Sequence, residues 1–304
     1  MEVFERRGYI NPFGSSLRMD PLFEALRSFA RDGAPRASGT PLFSRSRDEH
    51  ALIIRRSASL TAIDAGLALI ARRSNGAIGV VRVVAVSYDH PGLSVSSRQW
   101  VVVVQAQEDS YEVRMTCLES GEVREASLAA VHAGVRRDPE SGLDLARAML
   151  ERELQSSTQG LVFADGSLAP QLPEEREACS VLGPNVLGLV KRSSVAKPHA
   201  PEALVSHFSE PVFAHELAGA FYCRLHPLSE HIIRVEGSLD EDRFESLLVA
   251  SSDAAFPGYP YALVLADRFA RVSVREAKSL ALESAARFGV DVGSVHGILD
   301  SLER

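Results

Sequence analysis

The sequence predicts an α/β fold: one mixed sheet, with three antiparallel strands and then parallel additions, flanked by helices. Three observations lead there. First, the apolar stretches Ser59–Ala71, Ile78–Ser87 and Gln99–Gln107 are dense in Val, Ile, Leu and Ala. They are separated by Arg-Arg-Ser-Asn-Gly and Tyr-Asp-His-Pro-Gly. Both links are turn-forming, and short links favour antiparallel pairing. Second, Pro139-Glu140 opens a helix to about Gln155, and the short strand Leu161–Ala164 follows. A helix of that length is a sufficient crossover, so the fourth strand can lie parallel beside the first. Third, the end of the chain reads as helical, over about Leu239–Ser251 and then Ala262–Phe288 with a break.

Residues 1–57 read as an N-terminal arm. Asp20-Pro21 is an N-cap followed by proline at the first helical position, and Leu22, Phe23, Leu26, Phe29 and Ala30 share one helical stripe. The stretch Asp32–Asp48 reads as a loop and surface tether. The arm is a candidate partner-docking or dimer segment. Residues 58–304 form the main domain. Tyr111–Leu118 would add an edge strand. Val186–Val190 is a further short strand, ending at Lys191-Arg192. Residues 193–215 are rich in Ser, Pro and His and read as a loop insertion. Ala220–His226 and His231–Glu236 form a strand pair across Pro227-Leu-Ser, and a short helix closes the chain.

Bulk properties narrow the function classes. A net charge of −7 over 304 residues is against a protein that coats nucleic acid with its whole surface, but not against a recessed channel with local basic groups. No apolar run approaches the ~18 residues of a membrane span. Met1-Glu-Val-Phe-Glu-Arg-Arg lacks a signal-peptide layout. Cys117, Cys179 and Cys223 are far apart, which is against a disulfide framework or zinc site and points to reduced thiols in the cytoplasm. His215-Glu216 begins like a zincin motif but Gly219 stands where the second His belongs. There is no phosphate-binding P-loop and no Gly-x-Ser-x-Gly elbow.

The chemistry-bearing residues are acids in apolar surroundings. Asp64 lies in the middle of Ser59-Leu-Thr-Ala-Ile-Asp-Ala-Gly66, and Asp165 ends Leu161-Val-Phe-Ala before Gly166-Ser167. Strands disfavour Asp, and a buried carboxylate needs a partner or a metal. The predicted strand order sets the two side by side. Phosphodiester cleavage is served by two divalent ions held by three or four carboxylates. The helix after Pro139 offers Glu151, beside Arg147, or Glu153, nearer the Met149–Ala146 side; periodicity leaves both open. Asp267, in Tyr261-Ala-Leu-Val-Leu-Ala-Asp267-Arg268, is a fourth candidate, or else an i,i+4 partner of Arg271. Ser167 would orient a water or phosphate oxygen or else cap a turn, Lys191 and Arg192 would contact phosphate or else form a solvated strand end, and Tyr259 and Tyr261 would stack on bases or else pack as a loop entering a helix.

Three stretches carry a resemblance: Leu161–Leu168, then Val186-Leu-Gly-Leu-Val-Lys-Arg-Ser193, then Tyr259-Pro-Tyr-Ala-Leu-Val-Leu-Ala266 followed by Arg268-Phe-Ala-Arg-Val. Together they resemble the NurA nucleases, over about residues 58–288. The resemblance implies an RNase-H-like core, a homodimer, and manganese-dependent (or magnesium-dependent) DNA cleavage with two ions. It implies work at DNA ends in double-strand-break repair beside a HerA-like hexameric ATPase. It places metal-binding acids at Asp64, Asp165 and the 140–155 helix, with Glu151 first because Arg147-x-x-x-Glu151 is similar to the family's helix pattern. Two departures stand out. Asp64-Ala65-Gly66 replaces the more usual Asp-Gly-Ser, and Asp267 stands where the family usually has His. They keep open an alternative: an RNase-H-like adaptor that binds DNA or the ATPase without cutting.

Overall fold

A computed structural model describes residues 41–53, 59–89, 92–132, 134–191, 210–217, 219–229 and 231–288. The helical stripe at 22–30, Arg192, most of the 193–215 insertion and the terminal helix lie outside the described residues.

The element order is β1 (Phe43–Arg45), α1 (Arg47–Ile53), β2 (Leu60–Arg73), β3 (Gly76–Asp89), β4 (Gly92–Ala106), β5 (Ser110–Cys117), β6 (Val123–Ala129), β7 (Val131–His132), β8 (Val135–Arg136), α2 (Glu140–Ser157), β9 (Leu161–Asp165), α3 (Arg176–Ser180), β10 (Val186–Val190), β11 (Val212–Leu217), β12 (Ala220–Arg224), β13 (Ile233–Glu236), α4 (Glu241–Ala250), α5 (Tyr261–Ala270) and α6 (Val274–Phe288). Among the described residues, eleven strands form one sheet in the order β1-β11-β12-β13-β10-β9-β2-β3-β4-β5-β6. The predicted mixed α/β architecture is present. The antiparallel part is larger than expected: β2 to β6 pair successively, so β5 is internal, with β6 outside it. The expected loop at 32–48 ends within structure, because β1 pairs antiparallel with β11 and α1 starts at Arg47.

The crossover prediction holds. α2 leads from the antiparallel strands into β9, which lies parallel beside β2. β10 continues in parallel on the other side of β9. Alternation along the strands then divides the core. Leu60, Ala62 and Phe163 face α4 and α5, packing with Phe244, Leu263 and Ala266. Ile63, Ala65, Val162 and Ala164 face α2, packing with Leu143, Ala146 and Leu150. A third group, including Ala68, Ile70 and Val80, packs beneath Ala277 and Ala281 of α6.

The parallel β2–β9 ladder ends at the pair Ile63↔Ala164. The next residues are Asp64 and Asp165. Both acids therefore stand where the β2–β9 pairing stops, while Asp64 stays in register with Val84 of β3 and Asp165 with Leu189 of β10.

Candidate active site

Asp64 compensates for the end of the ladder. Its Oδ1 accepts the backbone N–H of Ala65 at 2.8 Å, a local side-chain bond replacing the missing strand partner. Burial pushes the Asp64 carboxyl above its ordinary range. The Ala65 N–H opposes this, the carboxylates of Asp165 and Asp267 add to it, and Arg147 opposes it. Asp165 accepts from Lys191 Nζ at 2.6 Å through Oδ2 and from the Tyr259 hydroxyl at 3.2 Å through Oδ1. The Lys191 ammonium also lies 4.8 Å from the centre of the Tyr259 ring. Gly166, with φ +103°, lets the chain turn directly after Asp165 in a backbone conformation that L-residues rarely adopt.

Glu151 and Glu153 separate clearly. Glu151 is buried. Its Oε2 faces Arg147 at 3.2 Å and its Oε1 accepts from Gln155 Nε2 at 2.8 Å. Burial pushes its carboxyl up to about 7, against the pull of Arg147 and Arg152 and with the repulsion of Asp64 and Asp165. Glu153 is exposed and ion-paired with Arg124, whose guanidinium lies over the Trp100 ring. It is Glu151 that shares the field of the two aspartates. Asp267 on α5 also acts on Asp64, while its Oδ2 accepts from Arg271 Nη2 at 2.6 Å. The i,i+4 pair is present, and Asp267 is near enough to act on Asp64.

Of the five expected DNA contacts, Ser167, Lys191, Tyr259 and Tyr261 lie among the described residues. Ser167 Oγ donates to Glu236 Oε2 at 2.8 Å, so the hydroxyl holds its own turn. Tyr259 is half-buried. Burial and Asp165 push its hydroxyl far above the usual range, and its ring packs partly against the core with the Lys191 ammonium beside it. Tyr261 stacks on Phe256 at 5.7 Å and lines a separate groove with Leu60 and Tyr88. Lys191 is exposed and ion-paired with Asp165.

Residues that were not singled out from sequence join these parts. Glu236 Oε2 also accepts the Leu168 N–H at 2.7 Å, and Arg234 donates to Glu236 Oε1 at 2.6 Å. Arg152, itself buried, donates to the Ser167 carbonyl at 2.5 Å and to Gln155 Oε1 at 2.8 Å. A chain of hydrogen bonds thus runs from Glu236 through the Asp165 turn and Arg152 to Gln155 and Glu151. Glu236 had one available signal: like Asp165, it is an acid ending a short apolar strand.

Among the described residues, no three His, Cys, Asp or Glu side chains stand close enough together to form a ready coordination shell. The donor set nevertheless fits a hard divalent cation: all are carboxylate oxygens, on two strands and two helices. Three of the four already face a cation of the chain, through Lys191 with Asp165, Arg147 with Glu151 and Arg271 with Asp267. Asp64, which has no such ion pair among the described residues, lies in the field of the others. A divalent cation would relieve the same repulsion.

No family model and no curated protein matches the chain. Solved structures are similar to it at low identity. The NurA nuclease from Sulfolobus solfataricus is similar at a TM-score of 0.47 and 14% identity, over 90% of this chain and 96% of that one. The catalytic domain of human endonuclease V is similar at a TM-score of 0.35 and 14% identity, over 85% and 98%. An Argonaute from Aquifex aeolicus is similar at a TM-score of 0.30 and 12% identity, over 71% of this chain and 28% of that one.

Proposed function

We propose that the chain is a divalent-metal-dependent nuclease that hydrolyses phosphodiester bonds in DNA. The observation that carries this reading is the side-by-side placement of Asp64 and Asp165 just past the end of the β2–β9 ladder, with Asp267 near enough to act on Asp64 and Glu151 near enough to feel both aspartates. Manganese or magnesium held by these acids, as two ions, would supply water activation and relief of charge on the leaving oxygen. The protein's own groups divide the remaining work. Asp64 and Asp165 provide oxygens from rigid strand ends. Glu151, whose carboxyl is raised to about 7 by burial in the metal-free fold, would be held as a carboxylate once a cation engages it. Lys191, now held by Asp165, would be freed to meet a phosphate oxygen once another cation engages that carboxylate.

The finer reading rests on the sequence resemblance to the NurA nucleases: manganese as the metal, a homodimer, and processing of DNA ends in break repair beside a HerA-like hexameric ATPase. The test is cleavage of labelled single- and double-stranded DNA with Mn²⁺ or Mg²⁺. Wild type should cut, and Asp165→Ala should lose at least about 100-fold in rate, since a carboxylate on the reacting centre is removed. Equal product from both proteins would refute the catalytic assignment.

A second reading is an adaptor that binds DNA or the ATPase without cutting. It is favoured by the Asp267–Arg271 ion pair and by the spacing of the acids among the described residues. DNA binding by wild type with no cleavage under either metal would select it.

A further inference from the structure

An open cleft of about 570 Å³ lies at the far end of β2, between the β2–β3 turn and the β8–α2 corner. Four arginines line it: Arg72, Arg73, Arg136 and Arg137. That concentration runs against a chain whose net charge is −7. Two of them hold the walls. Arg72 pairs with Asp138 and with Glu140 at the start of α2. Arg137 is buried and reaches Glu174 at 2.8 Å, while its Nε has no partner among the described residues. The other two are unengaged: Arg73 and Arg136 are exposed and make no hydrogen bond or ion pair among the described residues.

The cleft is connected to the acids by the sheet itself. β9 pairs with β2 only over Leu60–Ile63. Beyond that point, among the described residues, β2 is paired on one side alone, with β3, as far as Arg73. An open strand edge therefore runs from Asp64 to the arginines. Eight residues at about 3.3 Å each make this distance about 26 Å. A duplex strand carries one phosphate per about 3.4 Å of axis, so the interval corresponds to about eight phosphates.

We propose that this arginine cleft is a second binding site for the nucleic-acid backbone, which takes the phosphates of a strand about eight nucleotides from the phosphodiester at the acids. The inference rests on the nuclease reading and adds a length requirement to it. Guanidinium forks suit phosphate oxygens, and two unpaired forks in one cleft suit a polyanion better than a single small anion. Among the described residues lining the cleft only Tyr111 is aromatic, and it is buried with its hydroxyl on the Arg137 carbonyl at 2.9 Å. The site would therefore hold backbone without reading bases.

The experiment compares wild type with the Arg73→Glu/Arg136→Glu and Arg73→Gln/Arg136→Gln variants, each checked for an unchanged thermal melt. Binding of a fluorescent DNA duplex of twenty base pairs is measured by anisotropy in EDTA, across salt, and cleavage of that 20-mer and of a hairpin with a six-base-pair stem is measured with Mn²⁺. In both variants the 20-mer should bind at least about tenfold more weakly. Its log–log salt slope should fall by about two, one for each phosphate that an arginine no longer neutralises. The six-base-pair stem, about 20 Å long and too short to reach the cleft from the acids, should be cut by all three proteins with the same KM, whereas KM for the 20-mer should rise at least about tenfold in the variants. Unchanged 20-mer affinity and slope, or an equal rise in KM for both lengths, would overturn the second site. The nuclease reading fails by a different result: no cleavage of the 20-mer by wild type with Mn²⁺ or Mg²⁺.

Discussion

Glu151 is the residue on which burial and function conflict most directly. Its carboxyl rises from the ordinary 4.5 to about 7 because it is enclosed, although Arg147 and Gln155 bind its oxygens. The folded state therefore keeps this proton to higher pH than the unfolded chain does. Between about 4.5 and 7 the unfolded state has released more protons, so stability falls as pH rises, and it levels off above 7. The gap corresponds to about 3 kcal/mol. Asp64, also raised by burial, acts in the same direction. Metal-free wild type should thus melt at lower temperature at pH 8 than at pH 5, and Glu151→Gln should flatten that slope. Calorimetric melts over this range check it; identical pH profiles for the two proteins would show that Glu151 does not titrate as its surroundings require.

At the scale of elements, α5 reaches the site because of a glycine on β2. A Cβ on Gly66 would stand 2.1 Å from the Ala270 carbonyl oxygen at the end of α5. Only a residue without a side chain allows that helix end to lie on the strand. Arg82, the register partner of Gly66, then donates to the carbonyls of Arg271 at 3.1 Å and Phe269 at 3.4 Å and pairs with Glu276 on α6. A cation at a helix C-terminus complements its exposed carbonyls. These contacts pin the last turn of α5, and Asp267 lies three residues before Ala270. The sequence Asp64-Ala65-Gly66 therefore links a candidate ligand to the seat of the helix carrying another. Gly66→Ala should push α5 off the sheet and cost about 1–3 kcal/mol, the usual range for overpacking. It should also weaken Mn²⁺ binding by withdrawing Asp267. Denaturant titration and isothermal calorimetry measure the two effects; a Gly66→Ala protein with both values unchanged would show that α5 is not seated by this contact.

Across the whole molecule, the candidate site gathers acids separated by more than two hundred positions in the chain, from Asp64 to Asp267. The strand positions of Asp64 and Asp165 were legible in sequence because apolar runs mark strands, and a helix of crossover length implies a parallel neighbour. The choice of Glu151 over Glu153 was not: both lie on one helix, and only the tertiary surroundings place one beside Arg152 and Gln155 and the other beside Arg124. The bond from the Tyr259 hydroxyl to Asp165 was likewise not legible, because it spans 94 positions. Arg152 and Glu236 went unmarked because charged residues on helices and strand ends are common, and their hydrogen bonds span 15 and 69 positions. Yet Arg152 is what joins the Asp165 turn to the Glu151 helix, through the Ser167 carbonyl and Gln155. If the acids bind metal, Arg152 acts as a positioning residue, fixing the two donor segments against each other. Arg152→Gln is too short to make both bonds. It should lower Mn²⁺ affinity by about 10–100-fold, the usual effect of losing a partner that orients metal ligands. Arg152→Lys, which keeps the charge and one donor direction, should recover part of that loss. Calorimetric Mn²⁺ titration of the three proteins, with their unfolding midpoints as the control for a purely structural role, separates the outcomes. A loss of stability in Arg152→Gln with Mn²⁺ affinity unchanged would reduce Arg152 to a packing residue.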